Sequence, residues 1–136
     1  MAGRRQARIA ALQLLYQVDL LPDTTSEMAE SMLEELVSDP DLRKLAWQLY
    51  TGTLAERNKI DQQIQSVAVN WRVSRMSSTD RNVIRMGIYE MTVLQTPGPV
   101  VMDECIEIAK EFGTAQSGQF VNAILDKLKP AEAASP

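Results

Sequence analysis

The chain has 136 residues, a net charge of −4, no histidine and one cysteine, Cys105. The missing histidine removes His general bases, Ser-His-Asp triads and His-containing zinc sites, and one thiol builds neither an internal disulfide nor a thiolate zinc site. A chain of this length buries a core without such staples, and its apolar runs fall short of the ~18 residues of a membrane span. A lone thiol suits a reducing cytosol, so a cytoplasmic protein with no membrane association is expected.

The first predicted helix runs from about Arg4 to Leu20 and stops before Pro22. Its opening, "GRRQARIAALQLLYQ", places Arg4, Arg5 and Arg8 at an N-terminus whose dipole is already positive, where each exposed cation costs roughly 0.3–1 kcal/mol. Two readings stand: solvated arginines at a fraying end, or an anion site where dipole, free N–H groups and guanidiniums converge on phosphate. The uncharged polar stripe is Gln6, Ala10, Gln13 and Gln17. Ile9, Leu12, Leu14, Leu15 and Val18 cover most of the remaining circumference, so the helix is wedged among others or shared with a second copy. Tyr16, on the Arg5 side of the wheel, is either a core residue with a surface hydroxyl or a ring that stacks on an RNA base.

Residues 21–41 carry seven acids and no base. They include a second helix, capped by Thr25 or Ser26, with Met28, Met32, Leu33 and Leu36 expected inward. After Asp39-Pro40 one long helical pattern runs from Asp41 to about Asn70, with Gly52 an irregularity and Asn58 or Asp61 a kink. Residues 42–99 reverse the charge, with eight bases against four acids. Trp71, in "VNWRVSR", is read first as a core anchor at a helix end, with a contact to RNA left open as the alternative. The next helix, capped by Ser78 or Thr79, buries Ile84, Ile88 and Met91 and ends at Pro97-Gly98-Pro99. Arg81, Arg85 and Tyr89, spaced by four, form its solvated face. A helix from Pro99 to Phe112 follows, with Val101, Cys105, Ile108, Ala109 and Phe112 apolar and Asp103, Glu104, Glu107 and Glu111 opposite. Ser117 caps the last helix, with Val121, Ile124, Leu125 and Leu128 inside and Phe120 at the margin of the stripe. Residues 131–136 form a disordered tail. The fold class is all-α with six or seven helices; with no phosphate loop or nucleophile elbow, neither an enzyme nor a cofactor is expected.

"RRQARIAALQLLYQVD", "DRNVIRMGIYEM", "VVMDECIEIAKEFG" and "SGQFVNAILDKL" together resemble the NusB family of bacterial transcription antitermination factors, over nearly the whole chain. The resemblance implies two small packed helical bundles, divided here as residues 1–75 and 76–130. It implies binding of boxA-type single-stranded leader RNA together with NusE, a small-subunit ribosomal protein. It further implies read-through of terminators by the RNA polymerase elongation complex during rRNA transcription. The family's RNA contacts match Arg4 and Arg5, with Arg8 beside them, and Tyr16, Phe120 and Asn122. Gln119 stands where some members carry lysine, Ala123 where glycine is common, and "MDEC" where others read "INEA". The acidic faces at 23–41 and 103–111 are available to a basic ribosomal protein. NusB-like modules fused to rRNA methyltransferases, and a structural helical homodimer, are the competing expectations.

Overall fold

The computed structural model describes residues 2–131, so all of the expected tail except Ala131 lies outside the described residues. Among the described residues seven α-helices follow one another: α1 (Ala2–Leu20), α2 (Ser26–Leu36), α3 (Pro40–Ala55), α4 (Arg57–Val67), α5 (Ser78–Thr92), α6 (Gly98–Phe112) and α7 (Ser117–Leu128). One 3-10 turn, Val73–Arg75, joins α4 to α5, and no strand occurs among the described residues. No described helix is long and apolar enough to cross a membrane.

Local signals set most boundaries. The Thr25 hydroxyl accepts the Met28 N–H, the Asp39 carboxylate accepts the Leu42 N–H ahead of Pro40, and the Ser77 hydroxyl accepts the Asp80 N–H. Each cap satisfies an amide that the first helical turn leaves unpaired, an effect of about 1 kcal/mol. The cap of α5 is therefore Ser77, one residue before the expected position. Its far end comes at Thr92, before the Pro97-Gly98-Pro99 stop, and Gln95 in between takes a left-handed φ of 58°.

The long pattern expected from Asp41 to Asn70 is two helices. The chain turns at Glu56, whose N–H reaches back to the Gly52 carbonyl at 3.1 Å, and α4 then packs on α5 and α7. That turn carries Ile60 and Ile64 into the core, both almost completely buried. In α2 the inward face is Ala29 and Leu33, with Val37 just beyond, whereas Met28 is 58% exposed and Leu36 lies at the surface. The face is shifted by one residue, from Met28 to Ala29 and from Leu36 to Val37, while Leu33 and the partly buried Met32 lie inward as expected.

The axis of the molecule is α5. Helices α1, α3, α4, α6 and α7 all pack against it, and every residue from 82 to 91 is buried. The solvated face expected for Arg81, Arg85 and Tyr89 is thus mostly an interior one: Arg85 and Tyr89 are buried among the neighbouring helices, and Arg81 is partly buried. The apolar circumference of α1 is likewise used within the fold: Ala7, Ala10, Ala11, Leu12, Leu14, Leu15 and Val18 all belong to the core. Ala10, assigned to the polar stripe, is among them.

Gly52 marks the crossing of α3 and α5, where a Cβ would overlap the buried Tyr89 ring. Gly→Ala in a helix interior normally gains about 1 kcal/mol. Here overpacking, at roughly 1–3 kcal/mol, outweighs that gain. Gly52→Ala is expected to lower Tm, whereas Gly98→Ala, whose Cβ would meet Lys129 at an ordinary 3.8 Å, should leave it unchanged. Thermal denaturation of both variants followed by circular dichroism checks this.

Candidate nucleic-acid interface

The first turns of α1 lie beside the first turns of α6. Between them is an open groove of ≈ 990 Å³ lined by Arg4, Arg5, Gln6, Ile9, Val100 and Asp103, with Arg8 and Glu104 at its base. Arg4 is exposed to solvent. The Arg5 side chain is 43% exposed and donates from Nε to Glu104 Oε1 at 3.2 Å and from Nη2 to Glu104 Oε2. Arg5 lines the groove, and the two bonds to Glu104 use only Nε and Nη2 of a guanidinium with five N–H donors.

Arg8, expected to share the anion site, has a different placement. It is 4% exposed, and its Nε and Nη2 donate to the Glu90 carboxylate at 2.8 and 2.6 Å. Its Nη1 reaches Glu104 at 3.3 Å. Three residues on from Arg5, Arg8 lies on the same side of α1 but one turn further in, where the buried carboxylate of α5 takes it up. Arg8, Glu90, Glu104 and Arg5 thus form one chain of ion pairs from the core to the surface. The hydrogen bond from Arg5, then the nearby charges of Arg5 and Arg8, hold the Glu104 carboxyl below its ordinary pKa despite partial burial. Cys105, next along α6, is fully buried; burial pushes its thiol up to about 12 and leaves it unreactive.

A second ionic group fixes the other end of α1. Asp19 accepts from Ser78 Oγ at 2.7 Å and from Arg81 Nη2, and lies 3.6 Å from Arg85 Nη1. Arg85 in turn donates twice to Asp61 of α4, both at 2.8 Å. Burial alone would raise the Asp19 pKa, but the hydrogen bonds from Arg81 and Ser78 outweigh it and lower the value.

Tyr16 lies near this second end. It is 43% exposed, in a cleft of ≈ 530 Å³ with Leu12, Gln13, Met32, Leu36 and the partly exposed Phe112. Eleven residues of helix place it about 16 Å along α1 from Arg5. Phe120, in the first turn of α7, is half-buried and meets Trp71 edge to face, with ring centroids 6.0 Å apart and planes at 74°. Asn122 is exposed, but a spacing of two turns it away from the Phe120 side of the helix. The structure therefore groups Arg4 with Arg5, and Phe120 with Trp71; Tyr16 stands between helix ends as a separate exposed ring. Trp71 itself is 60% exposed, which corrects its reading as a core anchor. The tertiary pairings Arg8–Glu90 and Trp71–Phe120 carry no local signal, since 82 and 49 residues separate their members.

A model of the NusB family matches residues 5–130. A transcription antitermination protein NusB from Myxococcus xanthus is 41% identical, over 96% of this chain and 97% of its own. Among solved structures, T. maritima NusB is similar at a TM-score of 0.82 and 36% identity, covering 92% of this chain and 89% of its own. A chain from a crystal structure of antitermination factors NusB and NusE in complex with dsRNA gives 0.84 at 25% identity, covering 94% of this chain and 96% of its own.

Arg8→Met leaves Glu90 charged and alone in the core, a loss of about 3–5 kcal/mol of the kind seen for broken buried pairs. The double variant Arg8→Met/Glu90→Leu should recover much of it, as urea unfolding of both would show. Glu104 contributes stability that is complete above the ordinary carboxylate pKa and is lost as pH falls through its lowered folded-state value. Glu104→Gln should therefore show a shallower fall of Tm with acidification below about pH 5 than the parent chain.

Proposed function

The chain belongs to the NusB family, and from that premise we propose that it is an RNA-binding transcription antitermination factor, acting by binding and not by catalysis. In this reading it engages boxA-type single-stranded leader RNA together with a NusE-type ribosomal protein in the cytoplasm. The assembly then helps the RNA polymerase elongation complex through terminators in rRNA transcription. The relative crystallised with NusE and dsRNA supports both kinds of partner.

The observation that carries the proposal is the presentation of Arg4 and the open edge of Arg5 at the α1 N-terminus. Phosphate there meets backbone N–H groups, the positive dipole end and guanidiniums together. Tyr16 and Phe120 supply rings for unpaired bases, Asn122 a polar contact, and Arg8 braces the helix end from within. Glu104 and Asp103 offset part of the positive charge in the groove, so RNA binding by the chain alone is weak and a bound basic protein raises it. The exposed acids of α2 and α6 suit such a protein.

Titration of a boxA-type RNA at several salt concentrations, with and without the NusE-type protein, tests this. Arg4→Ala and Arg5→Ala should each reduce the log–log salt slope by about 0.7, while Gln13→Ala leaves it unchanged. Equal behaviour of Arg5→Ala and Gln13→Ala would sink the anion site, and equal binding of a scrambled RNA would sink boxA specificity.

A further inference from the structure

Trp71 is the most conspicuous side chain that the reading above leaves without a role. It sits in the loop between α4 and the 3-10 turn, 60% exposed, and that loop is held firmly. The Gln65 amide donates to the carbonyls of Ala68 at 3.2 Å and Trp71 at 3.0 Å, and its oxygen accepts the Val73 N–H at 3.1 Å. On the far side Arg81 Nη1 donates to the carbonyls of Val73, Ser74 and Met76. Two side chains from flanking helices thus fix the backbone that carries the indole, and Phe120 meets the ring itself, so less ordering entropy remains to be lost when something binds it.

Three features say what that ligand is. The indole meets Phe120 at 74°, giving two aromatic surfaces set nearly at right angles, one of them already a proposed base contact. Arg72 and Arg75, on the same loop, are exposed and take part in none of the ion pairs found among the described residues. Finally, an exposed π-face on a segment that also carries two exposed guanidiniums is the chemistry that holds single-stranded nucleic acid, with bases stacked and the backbone tracked by cations. A lone exposed hydrophobe is ordinary; a rigid one flanked by unpaired cations and continuous with a second ring is not.

Building on the RNA-binding reading, we propose that Trp71 stacks an unpaired RNA base beside Phe120, with Arg72 and Arg75 holding the adjoining phosphates. Gln65 is then a positioning residue, acting through the loop without touching RNA. The bound segment must be single-stranded here, because a base within a duplex does not expose its face to the indole.

The test uses the full chain, the single-stranded boxA-type RNA and the same strand annealed to its complement. Trp71→Ala and Trp71→Leu should each weaken binding of the single strand roughly 5- to 150-fold, whereas Trp71→Phe, which keeps a π-face, loses under about 5-fold. Arg72→Ala/Arg75→Ala should lower the log–log salt slope by about 1.4. Annealing should abolish the difference between Trp71→Ala and the parent chain. With Trp47→Phe, Trp71 is the one indole left of two, and its emission should be quenched by the single strand. Unfolding midpoints of all variants separate binding from folding. Full binding by Trp71→Leu with loss in Trp71→Ala would mean that the ring only packs on Phe120, and the proposal falls. Unchanged binding by both, with Arg5→Ala weakened, overturns the Trp71 contact and leaves the parent reading standing. Unchanged binding by Arg5→Ala and Tyr16→Ala as well rejects both.

Discussion

Everything in this structure is arranged around a charge pair in its core. Arg8 of α1 and Glu90 of α5 meet through two short hydrogen bonds, both almost completely buried. Taking two such ions out of water costs several kcal/mol each, and only close, bidentate geometry offsets that. The pair is therefore a constraint on register more than a source of stability. A slip of α1 along α5 would leave both charges buried and unmatched. The Asp19 cluster applies the same constraint at the other end, joining α1 to α5, and through Arg85 to Asp61 of α4.

That register is what places the interface. With α1 fixed at both ends, its first turn places Arg4 and Arg5 beside Asp103 and Glu104 in the second turn of α6. Glu104 serves both regions: it accepts from Arg5 at the surface and from Arg8 below. The groove consequently sets the guanidiniums of Arg4 and Arg5 against the carboxylates of Asp103 and Glu104. The second aromatic area depends on a different support, the loop held by Gln65 and Arg81 between α4 and α5.

Much of this was legible from the residues alone. Periodicity, caps and prolines located the helices to within a few residues, because those signals act over one or two turns. The quoted motifs carried the family, which the comparisons show. The failures share one cause. Arg81, Arg85 and Tyr89 read as a polar surface because a charged stripe usually is one, yet five helices close around α5 and supply Asp19 and Asp61 as partners. Arg8 read as part of a surface triad for the same reason. The single helix expected after Pro40 breaks at Glu56, where no proline or strong breaker stands, because Ile60 and Ile64 are buried against other elements.

By itself, then, the sequence determined an all-α chain, the absence of histidine chemistry, and a cationic helix start in an acidic protein. These are properties of composition and of interactions within a turn or two. Only the tertiary structure decided which cations face water. Arg4 and Arg5 do, Arg8 does not, and Trp71 lies outside the core beside Phe120. The physical reason is that a buried charge is tolerated only opposite a partner brought from far along the chain, and nothing local to Arg8 announces Glu90.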